Sequence, residues 1–208
     1  MNEEMSADLL LLLCDVSVYV SDLFENQKFD NILFHNAGHA RFVEGEVIKL
    51  GHIEGVEQTQ LLLIRLAAWL HDVGYLKNPA NHEEAGADMA SEILSGSLAG
   101  DQLTEVRRLI LSTRPHFKPE DVPAMILRDA DSAYASTSQF FQESENLRRE
   151  WERLDLRHFS DEEWLEQNLR YLENIRWNTR AAEQLYSGGL RENIAKLKRQ
   201  INPASGVL

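Results

Sequence analysis

The spacing of apolar residues constrains the fold of this chain more than any other feature. Apolar side chains recur mostly at steps of three and four residues, as on one face of an α-helix. Alternating stretches bounded by turn residues are missing from the sequence. The pattern predicts an all-α, single-domain helical bundle. It places helices at residues 6–26, 35–51, 56–73, 83–96, 101–113, 121–135, 137–153, 161–174 and 178–200.

Prolines and capping residues mark the ends of these segments. All five prolines fall between or at the edges of the predicted helices, where a missing N–H is tolerated. Ser160 and Glu163 have the spacing of a capping box, and Asp101 is expected to be another N-cap. A length of 208 residues suits one domain, and no segment between helices is long enough to divide two.

The leucine run 9–13 is predicted to form a buried amphipathic helix. Acidic residues flank it on both sides, whereas a signal peptide needs a basic leader and a membrane span needs about 20 apolar residues. The single cysteine, Cys14, is expected to be a small buried apolar residue. One cysteine allows no intrachain disulfide, which suits a reducing cytoplasm. Because the leucine run fits neither a signal peptide nor a membrane span, no membrane association is predicted.

The charge balance excludes one class of partner. The chain has 34 acidic and 21 basic residues, for a formal net charge of −13. Binding to a nucleic-acid backbone needs clustered Lys and Arg, so it is not expected. A small anionic substrate stays open, because a bound cation can reverse the potential inside a pocket.

Two short stretches contain three of the seven histidines. His35 and His39 are four residues apart, which places them on one face of the helix predicted for 35–51. His71 and Asp72 follow the apolar run 61–70, which is expected to be a core helix. Burying a carboxylate beside an imidazole is costly unless a partner compensates both, and a cation does so. The alternative is that Asp72 only accepts a hydrogen bond near a loop.

Further candidates lie later in the chain. Asp129 and Asp131 diverge by about 200° around a helix, so both cannot serve one centre equally, and one is expected to act as a cap or a support. Arg114, His116 and Lys118 form a small basic cluster. A phosphate clamp, a further metal ligand at His116 and a solvated loop all stay open for this cluster.

The ordered set of His39, His71-Asp72 and a distant Asp131, on an all-helical background, resembles the HD superfamily of metal-dependent phosphohydrolases. It is similar to small stand-alone bacterial members in particular. The resemblance covers a core at residues 34–135, and residues 136–200 form a helical extension of one domain spanning 1–208.

Local motifs carry this resemblance. FHNAGHA at 34–40 resembles a Tyr-His-Asn-x-x-His stretch, and LHDVGY at 70–75 resembles the signature His-Asp pair. HEEAGADMA at 82–90 and LRDADSAY at 127–134 resemble the helix start and the last-ligand segment of the family. Two positions depart from the pattern, since Phe34 replaces the usual tyrosine and Tyr75 replaces the commoner lysine.

The resemblance implies a metal site. Its ligands are expected to be His39, His71, Asp72 and Asp131. Two imidazoles and two carboxylates suit one divalent ion from the group Mn, Fe, Ni, Mg and Zn, without choosing among them. A second ion stays open.

The resemblance also implies the chemistry. Asp72 is expected to act in catalysis by holding the metal ion, and His35 is expected to protonate the leaving oxygen. His82 and Glu83 are expected to contact phosphate, orient water or join a second metal ion. The expected activity is hydrolysis of a nucleotide or related small phosphoester, as a monoesterase or diesterase, by metal-activated water. The alternative is a non-catalytic regulatory module that binds metal or nucleotide, and a purely structural role for Asp131 is a third. A homodimer through the long C-terminal helices is a further expectation.

Overall fold

The structure, a computed structural model, describes residues 2–26 and 31–202, and the side chains of 6–25 and 31–202. Within these ranges the chain is all-α and contains no strand, as predicted. The nine α-helices of the described ranges are α1 (Asn2–Asn26), α2 (Ala37–Ile53), α3 (Gln58–Leu70), α4 (His82–Leu94), α5 (Gly100–Leu111), α6 (Val122–Ser132), α7 (Phe140–Arg153), α8 (Asp161–Asn174) and α9 (Arg180–Ile201).

Helix α3 is the centre of the main core. Every residue of this helix from Leu61 to Leu70 is buried except Arg65, because α1, α2, α5 and α6 surround it. Arg65 is half-buried and donates two hydrogen bonds to Glu44 on α2, at 3.0 and 2.8 Å. Burial on all sides explains why the sequence of α3 is an apolar run rather than an amphipathic pattern.

Short 3₁₀ turns account for most differences from the predicted helix boundaries. Three of them, at Val73–Leu76, Pro79–Asn81 and Ala133–Ser136, follow α3 or α6, where the sequence predicted longer helices or a loop. Tight packing requires glycine beside the first turn, because a Cβ on Gly74 would overlap the carbonyl oxygen of His82. This close approach brings α4 against the end of α3.

Of the two predicted N-terminal caps, one is confirmed and one is wrong. The capping box is confirmed, since Ser160 Oγ accepts the N–H of Glu163 at 3.2 Å and the Glu163 carboxylate accepts the N–H of Ser160 at 2.8 Å. The N-cap predicted at Asp101 is wrong, because α5 begins one residue earlier. There the side chain of Gln102 accepts the N–H of Ala99 at 3.2 Å. Pro203 lies outside the described residues.

Helix α1 lies on the surface of the bundle and is amphipathic. Leu9 and Leu13 are buried against the core, but Leu10 and Leu11 are 45% and 66% exposed. Cys14 is exposed, so its predicted burial is wrong, because it lies on the outer face of α1 together with Leu11. Among the described residues, no helix combines the length and the hydropathy needed to cross a membrane.

The helices after residue 136 build a second, smaller core. Phe140, Leu172, Leu190 and Leu197 pack together on the 3₁₀ turn at 133–136. One link to the main core is the hydroxyl of Tyr186 on α9, which donates to buried Glu46 of α2 at 2.6 Å.

Asp129 on α6 ties the extension to the main core. Its carboxylate accepts the backbone N–H groups of Asn178 and Thr179 and both of their side-chain donors, at 2.8 to 3.1 Å. Thr179 is in turn the N-cap of α9. The prediction that one of the two aspartates of α6 serves as a cap or support is thus confirmed for Asp129.

We expect the substitution Asp129→Ala to lower the free energy of unfolding by about 2–4 kcal/mol, because several buried donors lose their acceptor. The measurement is urea denaturation followed by circular dichroism. Asp121→Ala is the matched control, since Asp121 caps α6 at its exposed end by accepting the N–H of Ala124 at 3.0 Å. Its expected loss is about 1 kcal/mol, and an equal loss in the two variants would contradict the anchoring role of Asp129.

Candidate metal centre

Asn36 sets the start of α2 and separates the first two histidines. Its side-chain oxygen accepts the N–H groups of Gly38 and His39, at 2.8 and 3.2 Å, and α2 begins at Ala37. His35 therefore precedes the helix, and the expectation that it shares a helical face with His39 is wrong. The two rings nevertheless lie near each other, with centroids 6.2 Å apart.

His71 and Asp72 end α3 at the floor of the site. Nδ1 of His71 lies 2.8 Å from the carbonyl oxygen of Ala68, so Nδ1–H donates to it and Nε2 is the nitrogen that faces Asp72 and Asp131. Both residues are buried, at 1% and 5% exposure. The chain turns sharply after Asp72 into the 3₁₀ turn, which directs the pair away from the axis of α3.

Four residues from three separate segments of the chain meet at this floor. His39 Nε2 lies 3.2 Å from Asp131 Oδ1 and 3.5 Å from Asp72 Oδ2, and His71 Nε2 lies 3.5 Å from Asp131 Oδ1. Donor atoms of His39, His71 and Asp72 all lie within 4.8 Å of one another. The structure thus brings together the four ligands that the sequence predicted, from α2, the end of α3, and α6.

Two buried polar atoms without a hydrogen bond indicate that the residues fit a cation. His71 Nε2 and Asp72 Oδ2 are buried 3.0 Å apart, yet neither makes a hydrogen bond to any described residue. Native proteins rarely leave buried polar atoms unsatisfied. An imidazole lone pair and a carboxylate oxygen that converge in this way are the donors that a divalent metal takes.

Neighbouring opposite charges shift the pKa values of His71 and Asp72. Burial alone would lower the pKa of His71, but the carboxylates of Asp72 and Asp131 outweigh burial and raise it well above its usual range. Burial would likewise raise the pKa of Asp72, but the neighbouring imidazoles of His71 and His35 lower it. The carboxylates stay ionised at neutral pH, which is the state that binds a cation.

Glu150, which the sequence did not reveal as a site residue, holds His35 in place. This glutamate from α7 is fully buried, and one carboxylate oxygen accepts the N–H groups of Leu33, Phe34 and His35, at 2.9, 2.8 and 3.0 Å. The other oxygen makes a short contact with His35 Nδ1. Burial opposes a charge on His35, but Glu150 and Asp72 outweigh it and raise its pKa.

Tyr75 contacts two of the predicted catalytic histidines. The ring of His35 stacks on it at a centroid distance of 3.7 Å and an interplanar angle of 14°. The ring of His82 also stacks on it, at 4.2 Å and 29°. The phenol is 6% exposed, and its hydroxyl interacts with the side chain of Trp151. Tyr75, which replaces the commoner lysine, therefore orders both imidazoles.

His82 and Glu83 begin α4 beside the floor of the site. His82 Nε2 lies 3.9 Å from Asp72 Oδ1 and 3.5 Å from the carboxylate of Glu83, while its Nδ1 lies 3.3 Å from the carbonyl oxygen of Pro79. Glu83 is buried, whereas the side chain of His82 is 20% exposed. The structure thus places His82 next to Asp72, and Glu83 next to His82.

A cavity of about 250 Å³ opens on the α2 side of the site. His39, Phe34 and Tyr134 line it, and Thr137 and Glu143 extend the lining toward α7. His39 is the candidate ligand that borders this cavity. The cavity wall combines residues of the main core with residues of the C-terminal extension.

The basic cluster at residues 114–118 lies outside this centre. Arg114 pairs with Glu84 at 2.5 Å, while His116 and Lys118 are exposed and line a different cleft. His52 and His158, which the sequence predicted to be surface residues, are exposed. Of the seven histidines, four surround the candidate centre: His35, His39, His71 and His82.

Comparison with protein families identifies the domain. Residues 36–136 match the model of the HD domain. Residues 36–136 therefore form an HD domain, the domain of a superfamily of metal-dependent phosphohydrolases, as the sequence motifs predicted. The matched range begins at the N-cap of α2 and ends in the 3₁₀ turn after α6, so it contains all four candidate ligands.

Solved structures share the fold over nearly the whole chain. YpgQ of Bacillus subtilis, crystallised in complex with ADP, superposes with a TM-score of 0.66 at 15% identity and covers 96% of this chain and 100% of its own. A structural-genomics target from Lactobacillus plantarum has a TM-score of 0.63 at 17% identity, covering 94% and 95%. At such identities the likeness shows the fold alone. No curated protein matches the chain.

We expect Glu150→Ala to lower the free energy of unfolding by about 3–5 kcal/mol, because it leaves a buried histidine and three backbone N–H groups without their acceptor. Chemical denaturation measures this loss. Glu145→Ala is the control on the same helix, where Glu145 makes a half-exposed pair with Arg149, and its expected effect is below about 0.5 kcal/mol. Similar losses in the two variants would show that Glu150 does not organise residues 33–35.

Proposed function

We propose that this chain is a divalent-metal-dependent phosphohydrolase that acts on a nucleotide or a related small phosphoester. The observation that carries the proposal is the convergence of His39, His71, Asp72 and Asp131, with buried donor atoms of His71 and Asp72 left unsatisfied by the described residues. The HD domain at residues 36–136 supports it.

His39, His71, Asp72 and Asp131 would hold the metal ion. When bound, a divalent ion lowers the pKa of a coordinated water and polarises a phosphoryl oxygen, which makes hydrolysis accessible at neutral pH. The hydrogen bond from His71 Nδ1–H to the carbonyl oxygen of Ala68 fixes the orientation of the ring, so that Nε2 would ligate the ion in place of its proton. The low pKa values of Asp72 and Asp131 keep both carboxylates ready for binding.

His35 is proposed as the acid that protonates the leaving oxygen. Because Glu150 occupies Nδ1, the proton on Nε2 is the one that the ring can deliver. Glu150 and Asp72 favour the charged imidazolium, and stacking on Tyr75 holds the plane of the ring. Glu150 acts as a positioning residue for this step.

His82 and Glu83 are proposed to orient water or contact the phosphate. His82 lies close to Asp72 and is partly exposed, while Glu83 lies beside His82 and is buried. His82 Nδ1 is held by Pro79, which leaves Nε2 toward the two carboxylates. Either residue can also serve a second metal ion, as the sequence left open.

The nucleotide class of substrate rests on two supports. The cavity beside His39 is lined by the aromatic rings of Phe34 and Tyr134, which suit a planar group. The structural relative YpgQ was crystallised in complex with ADP, and we extend that observation to this chain only as a proposal. The homodimer and the cytoplasmic location expected from the sequence stay predictions, as does the division into a core at 34–135 and an extension at 136–200.

Metal removal is the first test. We expect Mn²⁺ at a hundredfold excess over its dissociation constant to add about 2.7 kcal/mol to the free energy of unfolding, and chelation to remove this gain. Metal analysis of purified protein should show a bound divalent ion in the wild type and little in His39→Ala or Asp131→Ala. His52→Ala is the control, because His52 is exposed near the end of α2, thirteen residues after His39. Equal metal contents in all four proteins would exclude this ligand set.

Leaving-group dependence is the second test. His35→Ala should lower kcat for an alkyl or nucleoside phosphoester by about a hundredfold or more while metal content stays unchanged. For a nitrophenyl ester the loss should be much smaller, because that leaving group needs no proton. Equal losses for the two substrates would argue against His35 as the acid. Bound metal and ligand-induced melting shifts in the wild type, without product from a broad phosphoester panel, would favour the regulatory alternative.

A further inference from the structure

A second and larger cleft lies between the main core and the C-terminal extension. Its volume is about 790 Å³, which falls within the usual range for small-molecule sites. The segment 116–119, α6, α8 and the connection before α9 form its walls. We call it the α6–α8 cleft.

The α6–α8 cleft is separate from the candidate metal centre. Asp129 and Ser132 line it, and these residues are three apart on α6, so they share one helical face. Asp131 points elsewhere on the same helix, toward His39 and His71. None of the four residues that converge at the candidate centre, His39, His71, Asp72 and Asp131, lines this cleft.

The charge of the cleft is opposite to that of the protein as a whole. Four cationic side chains line it, from Lys118, Arg128, Arg170 and Arg176. The acidic residue in the described lining is Asp129, whose oxygens are already occupied by Asn178 and Thr179. In a chain with a net charge of −13, such a concentration of cations attracts anions locally.

Most of these cations are not neutralised by carboxylates. Lys118 has no ion-pair partner among the described residues, and Arg128 and Arg176 donate to backbone carbonyl oxygens instead. Arg170 has a loose, exposed pair with Glu166 at 3.5 Å. The guanidinium groups and the ammonium therefore keep donors available for an anionic ligand.

The cleft also offers aromatic surface. Phe117 is 37% exposed at its mouth, and Tyr171 and Trp177 line its wall. A ligand with a planar ring complements these aromatic groups.

We propose that the α6–α8 cleft binds a nucleoside polyphosphate independently of the metal centre. Lys118, Arg128 and Arg176 would contact the phosphates, and Phe117 and Trp177 would contact the base. This proposal does not depend on the hydrolytic activity, because none of its residues belongs to the candidate centre.

Binding of ADP to full-length protein in excess chelator tests the proposal. Chelation removes the metal ion that would hold a phosphate at the candidate centre, so binding that survives chelation points to another site. Isothermal titration calorimetry should show ADP binding that weakens with rising salt, and weaker binding of inorganic pyrophosphate, which lacks the base. Undetectable ADP binding overturns the proposal, and equal affinities for the two ligands overturn the assignment of a nucleoside.

A charge reversal locates the site. Lys118→Glu should weaken ADP binding by about tenfold or more in chelator, because it removes a charge-assisted contact and adds repulsion. Lys196→Glu is the matched control, since Lys196 is exposed on α9 and lies outside the cleft lining. Arg170→Gln is a second, milder variant and should weaken binding less. Unchanged affinity in Lys118→Glu, or an equal loss in Lys196→Glu, overturns the assignment to this cleft.

Discussion

The burial of Asp72 beside His71 at the end of α3 is the constraint on which the rest of the structure depends. Helix α3 is enclosed by neighbouring helices, so the two polar side chains that follow it are almost completely buried. Their converging atoms are left unsatisfied by the described residues and need a compensating charge. The positions of α2 and α6, which supply His39 and Asp131, follow from this need and from packing on α3.

The C-terminal extension completes the site rather than merely following it. Glu150 of α7 holds the backbone that precedes α2 and orients His35. Asp129 of α6 receives the start of α9, two residues before the candidate ligand Asp131. The extension and the core therefore share α6, and the α6–α8 cleft opens where they meet.

Much of this arrangement was predictable from particular residues. The steps of apolar residues predicted all nine helices of the described ranges, and the motif order predicted that His39, His71, Asp72 and Asp131 would converge. The errors have local causes. Asn36 caps α2 and excludes His35 from it, and an outward-facing position on α1 exposes Cys14. Glu150 was missed because one glutamate among many carries no sequence signal of its burial.

The sequence by itself determined the helical class, the family and the candidate ligands, because hydrophobic periodicity and short motifs are local properties of the chain. Only the tertiary structure decided which partners meet across more than a hundred residues, such as Glu150 with His35 and Tyr186 with Glu46. It also decided that both His35 and His82 stack on Tyr75. Such contacts depend on how the helices pack, and packing is a property of the whole core.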